Sequence, residues 1–388
     1  MKKKYLPLLF LIAFLTMLGF GIIIPILPYF AENIGASSLQ IGILFASYNI
    51  MQLLFAPIWG ALSDRIGRKP LISFGLLGFS ITFILFGMAG TYAEMLAYRI
   101  LGGIVSAAAL PTVTAMVADV FPSDQRAKGM GVIGAGIGLS FVFGPAIGGY
   151  LSPYGFSVPF FASGVVAFLT FFIILFALPE SLPKEKRTGQ TREKQGNIFS
   201  VLFGPLSLMY GIMFIVSFAF SGLETTFALY INHLYGFTSK DLGYMFLVMG
   251  IISAFVQGGL IGKMVKRLGE PLVLTIGLAL YGIGFFAIPL AASFWTLALT
   301  LSLFGAGQGM IRATGTAMIT QRTSQGQGVT SGAISSMDSL GRILGPLAGG
   351  AVYGWFASGP FIVGGVLMVI MLVLFRTRYH RLPERAEA

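Results

Sequence analysis

Long apolar runs separated by short polar segments limit what this chain can fold into more than any other feature of its sequence. Only 10% of its 388 residues are charged, against roughly 25% in a typical soluble domain. A helix of about 20 apolar residues crosses a bilayer, whereas a membrane β-barrel would show ~10-residue strands of alternating polarity. The sequence therefore predicts an all-α membrane protein with twelve transmembrane helices, over residues 5–30, 39–62, 70–89, 93–119, 128–151, 158–179, 203–231, 239–262, 271–290, 294–320, 328–355 and 359–376.

Two motifs occur twice, at nearly the same separation. The charged segment Gly60–Pro70 between spans two and three has a shortened copy at Lys266–Pro271, where Arg267 stands 202 positions after Arg65. The pattern Gly-Pro-x-x-Gly-Gly starts at residue 144 and again at residue 345, 201 positions later. Many transporters are built from two related halves in this way, and we therefore expect two pseudo-symmetric six-helix bundles.

A long hydrophilic stretch separates these halves. It begins near Glu180 and continues to about Ser200, and it is rich in Lys, Arg and Glu. We predict an N-terminal bundle over residues 1–180, a linker over 181–200 and a C-terminal bundle over 201–388.

The basic residues are distributed unevenly along the chain, whose formal net charge is +11. With the N-terminus placed in the cytoplasm, 21 of the 25 Lys and Arg residues fall in cytoplasmic segments and only Lys240 falls outside. This asymmetry follows the positive-inside rule. It predicts a multi-pass protein of the cell membrane with both termini cytoplasmic, and it explains the positive charge without a nucleic-acid partner.

Several function classes are disfavoured by what the sequence lacks. There is no cysteine, hence no disulfide or thiolate metal site, and no phosphate-binding loop of the ATP-driven pumps is present. We see no metal-ligand cluster and no nucleophile–histidine pairing, so we expect neither an enzyme nor a bound cofactor. A small-molecule transporter, monomeric and embedded in lipid, is the expected class. It is driven by a proton or other ion gradient, or else it is a passive facilitator.

The charged segment after span two is a candidate latch at the inner face. Asp64 lies where a carboxylate is stabilised by a helix N-terminus of the opposite half, and Asp119 at the end of span four is a candidate partner of Arg65 or Arg68. Such contacts would break when the inner face opens. The alternative is that the basic residues only fix topology. The candidate latch comprises Gly60, Asp64, Arg65, Gly67, Arg68 and Asp119.

The paired Gly-Pro motifs predict bends at equivalent points of spans five and eleven. A proline inside a helix removes one hydrogen bond, and glycines let helices approach closely in lipid. Because the pattern is symmetric, we expect it to shape the interface on which the halves rock; tight packing alone is the alternative. The residues concerned are Gly144, Pro145, Gly148, Gly149, Gly345, Pro346, Gly349 and Gly350.

Charged residues inside the spans are functional candidates, because each is costly in the bilayer. Glu224 in span seven has no basic residue within one helical turn, so desolvation should let it exchange protons; a structural carboxyl bonded to Thr or backbone groups is the alternative. Asp338 and Arg342 are four residues apart and can pair on one helix face. Arg99 and Arg312 lack an acid at that spacing.

These residues together resemble the major facilitator superfamily, and within it the twelve-span drug:proton antiporters of the NorA, Bmr and tetracycline-exporter type. Gly60–Pro70 is similar to the superfamily's loop motif, and Gly19–Pro28 to the subfamily's opening motif. Arg99 with Gly103 resembles the span-four motif, and the first Gly-Pro motif resembles the antiporter motif of span five, apart from Ser140 in place of a glycine.

The resemblance implies two bundles around a central cavity that opens alternately to each side, with Glu224 tied to proton coupling. Some relatives carry an acid directly before Met-Ile-Arg, where this chain has Gly309, so a two-carboxylate relay is in doubt. The leading hypothesis is an exporter that exchanges amphipathic drugs for protons. A carrier of a specific metabolite, sugar or lipid-linked substrate is the alternative, kept open by the amides of Asn49, Gln52, Gln257 and Gln308.

Overall fold

A computed structural model of the protein describes residues 2–183, 187, 202–323 and 327–379. Over these residues the chain consists of helices joined by short turns. Among the described residues, eleven helical segments are long and apolar enough to cross a membrane. The remaining predicted span, the eleventh (328–355), coincides with a 29-residue helix, Gln327–Trp355, which contains Asp338 and Arg342 and is less apolar. The predicted all-α membrane fold is confirmed. Most of the predicted linker, residues 184–186 and 188–200, lies outside the described residues.

The chain divides into two compact units. Unit 1 comprises residues 1–191 together with Phe237–Tyr244, and unit 2 comprises residues 192–236 and 245–388. Spans one to six are formed by eight helices: α1 (Lys2–Ile23), α2 (Leu27–Asn33), α3 (Ser38–Ile66), α4 (Arg68–Gly87), α5 (Tyr92–Ser106), α6 (Ala109–Val120), α7 (Ser123–Leu151) and α8 (Val158–Ala177). Spans seven to twelve are formed by seven: α9 (Ser207–Tyr235), α10 (Ser239–Phe255), α11 (Ile261–Leu268), α12 (Glu270–Ala287), α13 (Phe294–Arg322), α14 (Gln327–Trp355) and α15 (Gly359–Arg378).

The same pairs of spans pack together within each unit. In unit 1, α1 packs along α7, α4 along α8, and α5 against both α3 and α4. In unit 2, the equivalent helices α9 and α14, α12 and α15, and α12 and α13 make the corresponding contacts. The internal repeat in the sequence is therefore a repeat in helix packing.

Two predicted spans are broken at prolines. The span predicted over 5–30 divides into α1 and α2 around Pro25, and Pro28 lies in the first turn of α2. A proline disfavours the helical conformation of the residue before it, whereas the first turn of a helix tolerates a proline. The span predicted over 93–119 divides into α5 and α6 at Ala107–Ala108, since Pro111 cannot donate to the carbonyl four residues earlier. The breaks lie inside both predicted spans, and Tyr92–Val120 still forms one candidate membrane span.

Span eight departs from a regular helix in another way. Between α10 and α11 lies a turn of π-helix, Val256–Leu260, which contains Gln257 and two glycines. The helical span continues to Leu268, six residues beyond its predicted end at 262. A π turn holds one residue more than an α turn, so it locally changes which side chains share a face.

Glycines end the second and eighth spans in the same way. Gly67 follows α3 with φ +110°, and Gly269 follows α11 with φ +78°. Only glycine adopts such angles without strain, and each residue lets the chain turn directly into the next helix. The loop motif is thus mostly helical: Asp64 and Arg65 lie in the last turn of α3, and Gly67 is the non-helical residue between α3 and α4.

Candidate functional site

A carboxylate shared by two arginines lies inside unit 2. Asp338 on α14 accepts hydrogen bonds from Arg312 on α13 and from Ser217 on α9, and its second oxygen lies 3.3 Å from Nε of Arg342. The i,i+4 pairing of Asp338 with Arg342 follows from the sequence. The bridge to Arg312 was missed, because it joins different helices and the sequence shows only intrahelical spacing.

This cluster opens into a cavity of about 240 Å³. Arg312 is the more accessible arginine, with 45% of its side chain exposed against 22% for Arg342. Hydroxyl and apolar groups share the wall, so the cavity can hold the polar end of an amphipathic molecule. Its lining residues are Met213, Val216, Ser217, Arg312, Thr316, Ile334, Ser335, Asp338 and Ser339.

Glu224 on α9 is the buried carboxylate next to this cluster. It is 6% exposed, and within the described chain its Oε1 atom has no hydrogen-bond partner. Thr225 and Thr226 donate instead to carbonyls of their own helix, at 2.9 Å each. Arg342, Asp338 and Arg312 are the charged groups that act on Glu224 electrostatically. The threonines therefore do not satisfy this carboxyl, and basic groups that are distant in sequence lie near it.

Arg99 belongs to unit 1, apart from the other four charged candidates. Its Nε donates to the Leu44 carbonyl at 3.1 Å, and its guanidinium lies 4.4 Å from the centroid of the Tyr48 ring and 5.8 Å from that of Phe45. The side chain is buried and forms no ion pair with any described residue. Aromatic faces thus stabilise this cation in place of a carboxylate.

Arg68 is the centre of the loop motif. Its guanidinium contacts Asp64 at 2.7 Å and Asp119 at 2.9 Å, and it also donates to Ser63. Arg65 is exposed. The contact with Asp119 joins α4 to α6 within unit 1, so this ion pair does not itself hold the two halves together. A latch between Asp64 and the opposite half stays a prediction.

Glu180, just after span six, is a member of this network that the sequence did not reveal. Its carboxylate accepts from the backbone N–H groups of Arg68 at 3.0 Å and Lys69 at 3.2 Å, the first two residues of α4. A side chain on Gly67 would overlap the same carboxylate. Ser181 also donates to Asp119, at 3.1 Å. Glu180 is thus an anionic cap on a helix from another part of the chain, a role that no local sequence signal marks.

The paired glycine motifs bring backbones into contact. A methyl group on Gly144 would lie 2.8 Å from Gly21, and one on Gly148 would overlap the carbonyl oxygen of Ile22. In unit 2 a methyl group on Gly349 would lie 2.9 Å from Gly222. Close approach at these positions is therefore required, while the bends predicted at Pro145 and Pro346 stay predictions.

The remaining glycines of the predicted motifs differ in their surroundings. Gly345 lies against the carbonyl of Phe218, and Gly149 against the backbone of Gly243 in the Phe237–Tyr244 segment of unit 1. Gly350 is buried. A methyl group on Gly60 would meet nothing within 4 Å, so packing does not require a glycine there.

Four amide side chains were predicted as candidates for binding a polar substrate, and three of them make hydrogen bonds within their own unit. Asn49 donates to the Phe45 carbonyl at 2.9 Å, Gln52 to Tyr48 at 3.3 Å, and Gln257 to Ser253 at 2.9 Å. Gln308 is half-buried in α13. In the described ranges, no group of three or more His, Asp or Glu residues is placed to hold a metal ion.

Two units with the same helix pairing, one of them enclosing a cluster of charged side chains, define a membrane transport protein built by duplication. The family model described as Major Facilitator Superfamily matches residues 9–270 and again residues 258–388. The chain therefore belongs to this superfamily.

Its relatives indicate which group of transporters within the superfamily it resembles. It is 34% identical over 367 residues to Multidrug resistance protein 2 of Bacillus subtilis (strain 168), covering 93% of this chain and 92% of the relative. It is 27% identical to Quinolone resistance protein NorA of Staphylococcus aureus (strain MRSA252), covering 98% of each chain. The structure resembles that of the human organic anion transporter MFSD10 (TETRAN), with a TM-score of 0.68, 26% identity, and coverage of 96% and 99% of the two chains. The predicted resemblance to drug exporters of this superfamily is confirmed.

Proposed function

We propose that the protein exports amphipathic or lipophilic small molecules in exchange for protons, with Glu224 as the group for which proton and substrate compete. The observation that carries this proposal is a buried carboxylate inside a span, whose Oε1 atom has no hydrogen-bond partner among the described residues. A desolvated carboxylate in that setting is stabilised either when it takes up a proton or when it binds a cation.

The neighbouring charges support this assignment. Asp338 is neutralised by Arg312 and Arg342 and accepts from Ser217, so it is a poor proton carrier. Glu224 forms no ion pair with any described residue, although Arg342 and Arg312 lie close enough to act on it electrostatically. When the transporter is open to the outside, a proton would replace the cationic group of the substrate on Glu224; when it is open inside, loss of that proton would restore the anionic site.

The names of the relatives agree with this substrate class. The two relatives by sequence are described as multidrug resistance and quinolone resistance proteins. We propose that this chain handles a comparable range of amphipathic molecules. A carrier of one hydrogen-bonding metabolite is less well supported, because Asn49, Gln52 and Gln257 already make hydrogen bonds within their own units.

We further propose a monomer in the cell membrane with both termini in the cytoplasm. The distribution of Lys and Arg along the sequence supports this orientation. Each unit contains the helix pairs of a complete six-span bundle, and no second copy is needed to complete either one.

Glu224→Gln tests the proposed coupling, because glutamine imitates the protonated carboxyl. Proteoliposomes with an imposed pH gradient should lose gradient-driven transport of a lipophilic cationic dye such as ethidium, and purified protein should stop releasing protons when the dye is added. Thr226→Val is the matched control, since it alters the same turn of α9 without touching the carboxyl. It should keep both activities. Wild-type pumping and proton release by Glu224→Gln would refute the assignment.

A further inference from the structure

A groove at one end of unit 2 lies outside the proposed transport site. It has a volume of about 380 Å³ and lies between the start of α12 and the end of α15. Leu268, Leu272 and Phe375 supply apolar lining, while Arg376 and Tyr379 add polar groups. Leu268 is 45% exposed and Leu272 38% exposed, so the apolar lining is accessible from outside the helix bundle.

Positive charge is concentrated around this groove. Arg376 lines it and is exposed. Arg322, from the end of α13, lies 5.4 Å from the ring centroid of the lining residue Tyr379 and donates to its hydroxyl at 3.3 Å. The preceding helix α11 carries Lys266 and Arg267 in its last turn. A negatively charged head group would therefore be attracted to this end of the groove.

The acid nearest in sequence does not cancel this charge. Glu270, next to the lining residue Pro271, is buried and accepts a hydrogen bond from Gln321 at 2.8 Å. That hydrogen bond and the N-terminus of α12 stabilise the carboxylate, and Glu270 is not among the residues that line the groove.

We propose that this groove binds an anionic phospholipid, with the phosphate at Arg376 and an acyl chain against Leu268 and Leu272. Basic pockets between transmembrane helices are a recognised mode of binding for anionic head groups. The groove combines the two surfaces that a phospholipid offers, a charged head and an apolar chain, at the end of a span. A soluble anion would use the arginine but gain nothing from the two exposed leucines.

Native mass spectrometry of the full-length protein tests this proposal. Protein would be exchanged into detergent with phosphatidylglycerol, cardiolipin or phosphatidylcholine, and the retained lipid would be counted. We expect retention of the two anionic lipids over phosphatidylcholine, at least tenfold weaker in Arg376→Gln. Arg378→Gln is the matched control, because it removes the same charge from the same turn of α15 but from a residue that does not line the groove.

A second variant and a second ligand make the test specific. Leu272→Glu places a negative charge in the groove and should also abolish retention of the anionic lipids, with unchanged thermal unfolding in the absence of lipid. Inorganic phosphate should not displace the bound lipid. Equal losses in Arg376→Gln and Arg378→Gln would show general surface attraction and overturn the proposal. Displacement by phosphate alone, or equal retention of phosphatidylcholine, would overturn it as well.

Discussion

The charged cluster inside unit 2 is organised around one carboxylate, that of Asp338. It is the common partner of Arg312 and Arg342, and the two arginines differ in how much water reaches them. Removing one partner of a buried ion pair costs about 3–5 kcal/mol, because the other charge stays desolvated, whereas an exposed pair contributes about 0–1 kcal/mol. The three side chains should therefore differ in their effect on stability.

Asp338→Asn should be the most damaging of the three single changes, because it leaves two positive charges without their carboxylate. We expect a loss on the order of 2–4 kcal/mol, a smaller loss for Arg342→Gln, and roughly 0–1 kcal/mol for the more exposed Arg312→Gln. Thermal unfolding of the purified variants in one detergent measures the order of their stabilities. If Arg312→Gln proved the most destabilising, the cluster would not be organised around Asp338 and Arg342.

At the level of residues, the sequence predicted features that depend on spacing within one helix. The spacing of Asp338 and Arg342 predicted their contact, and isolation within span seven marked Glu224. It could not predict that Arg312 reaches Asp338 from another helix, or that Glu180 caps α4 from 112 positions away. Those contacts depend on how helices pack, and single-sequence patterns do not encode packing partners.

Among the helices, the Gly-Pro motifs show how packing depends on the absence of side chains. Along α7, Gly144 and Gly148 lie against the backbone of α1, whereas Gly131, Gly134 and Gly138 have open space where a methyl group would be. Glycines of one helix thus have different roles. Those that contact a backbone determine the separation of α1 and α7.

Gly148→Ala and Gly138→Ala should therefore have opposite effects. The first places a methyl group on the carbonyl oxygen of Ile22, and we expect a loss of about 1–3 kcal/mol from overpacking, with impaired transport. The second meets no atom within 4 Å and should be neutral or stabilise the protein by about 0.5–1 kcal/mol, because alanine favours the helix. Unfolding midpoints compare the two, and equal effects would contradict the assignment of close approach to Gly148.

The helices themselves were largely predictable, because lipid forces long apolar runs into helices whose backbone groups bond internally. The breaks were not. Pro25 and Pro111 interrupt their spans, yet Pro145 and Pro346 lie inside continuous helices. A proline only removes one hydrogen bond, and the surrounding packing decides whether the helix ends or continues.

At the scale of the whole molecule, the orientation in the membrane is the prediction most open to direct test. Because the chain has no cysteine, single cysteines can be introduced without background. Gln190→Cys, in the predicted linker, should resist an impermeant thiol reagent applied to intact cells. Asn33→Cys, exposed at the last residue of α2 in a predicted outer segment, should react. The reverse pattern would place the termini outside. Ser239, at the predicted outer end of span eight, is buried and would be a poor probe.

The π turn in the eighth span also shows how the two halves diverged in sequence length. Ser38 and Ser239 begin equivalent helices 201 positions apart, yet Arg65 and Arg267 near the ends of those helices are 202 apart. The second span has 29 residues and the eighth has 30. A wide turn absorbs one surplus residue without rotating the remainder of the helix, which keeps Gly67 and Gly269 equivalent. Since one half carries this residue and the other does not, the insertion or deletion that produced the difference occurred after the ancestral gene was duplicated.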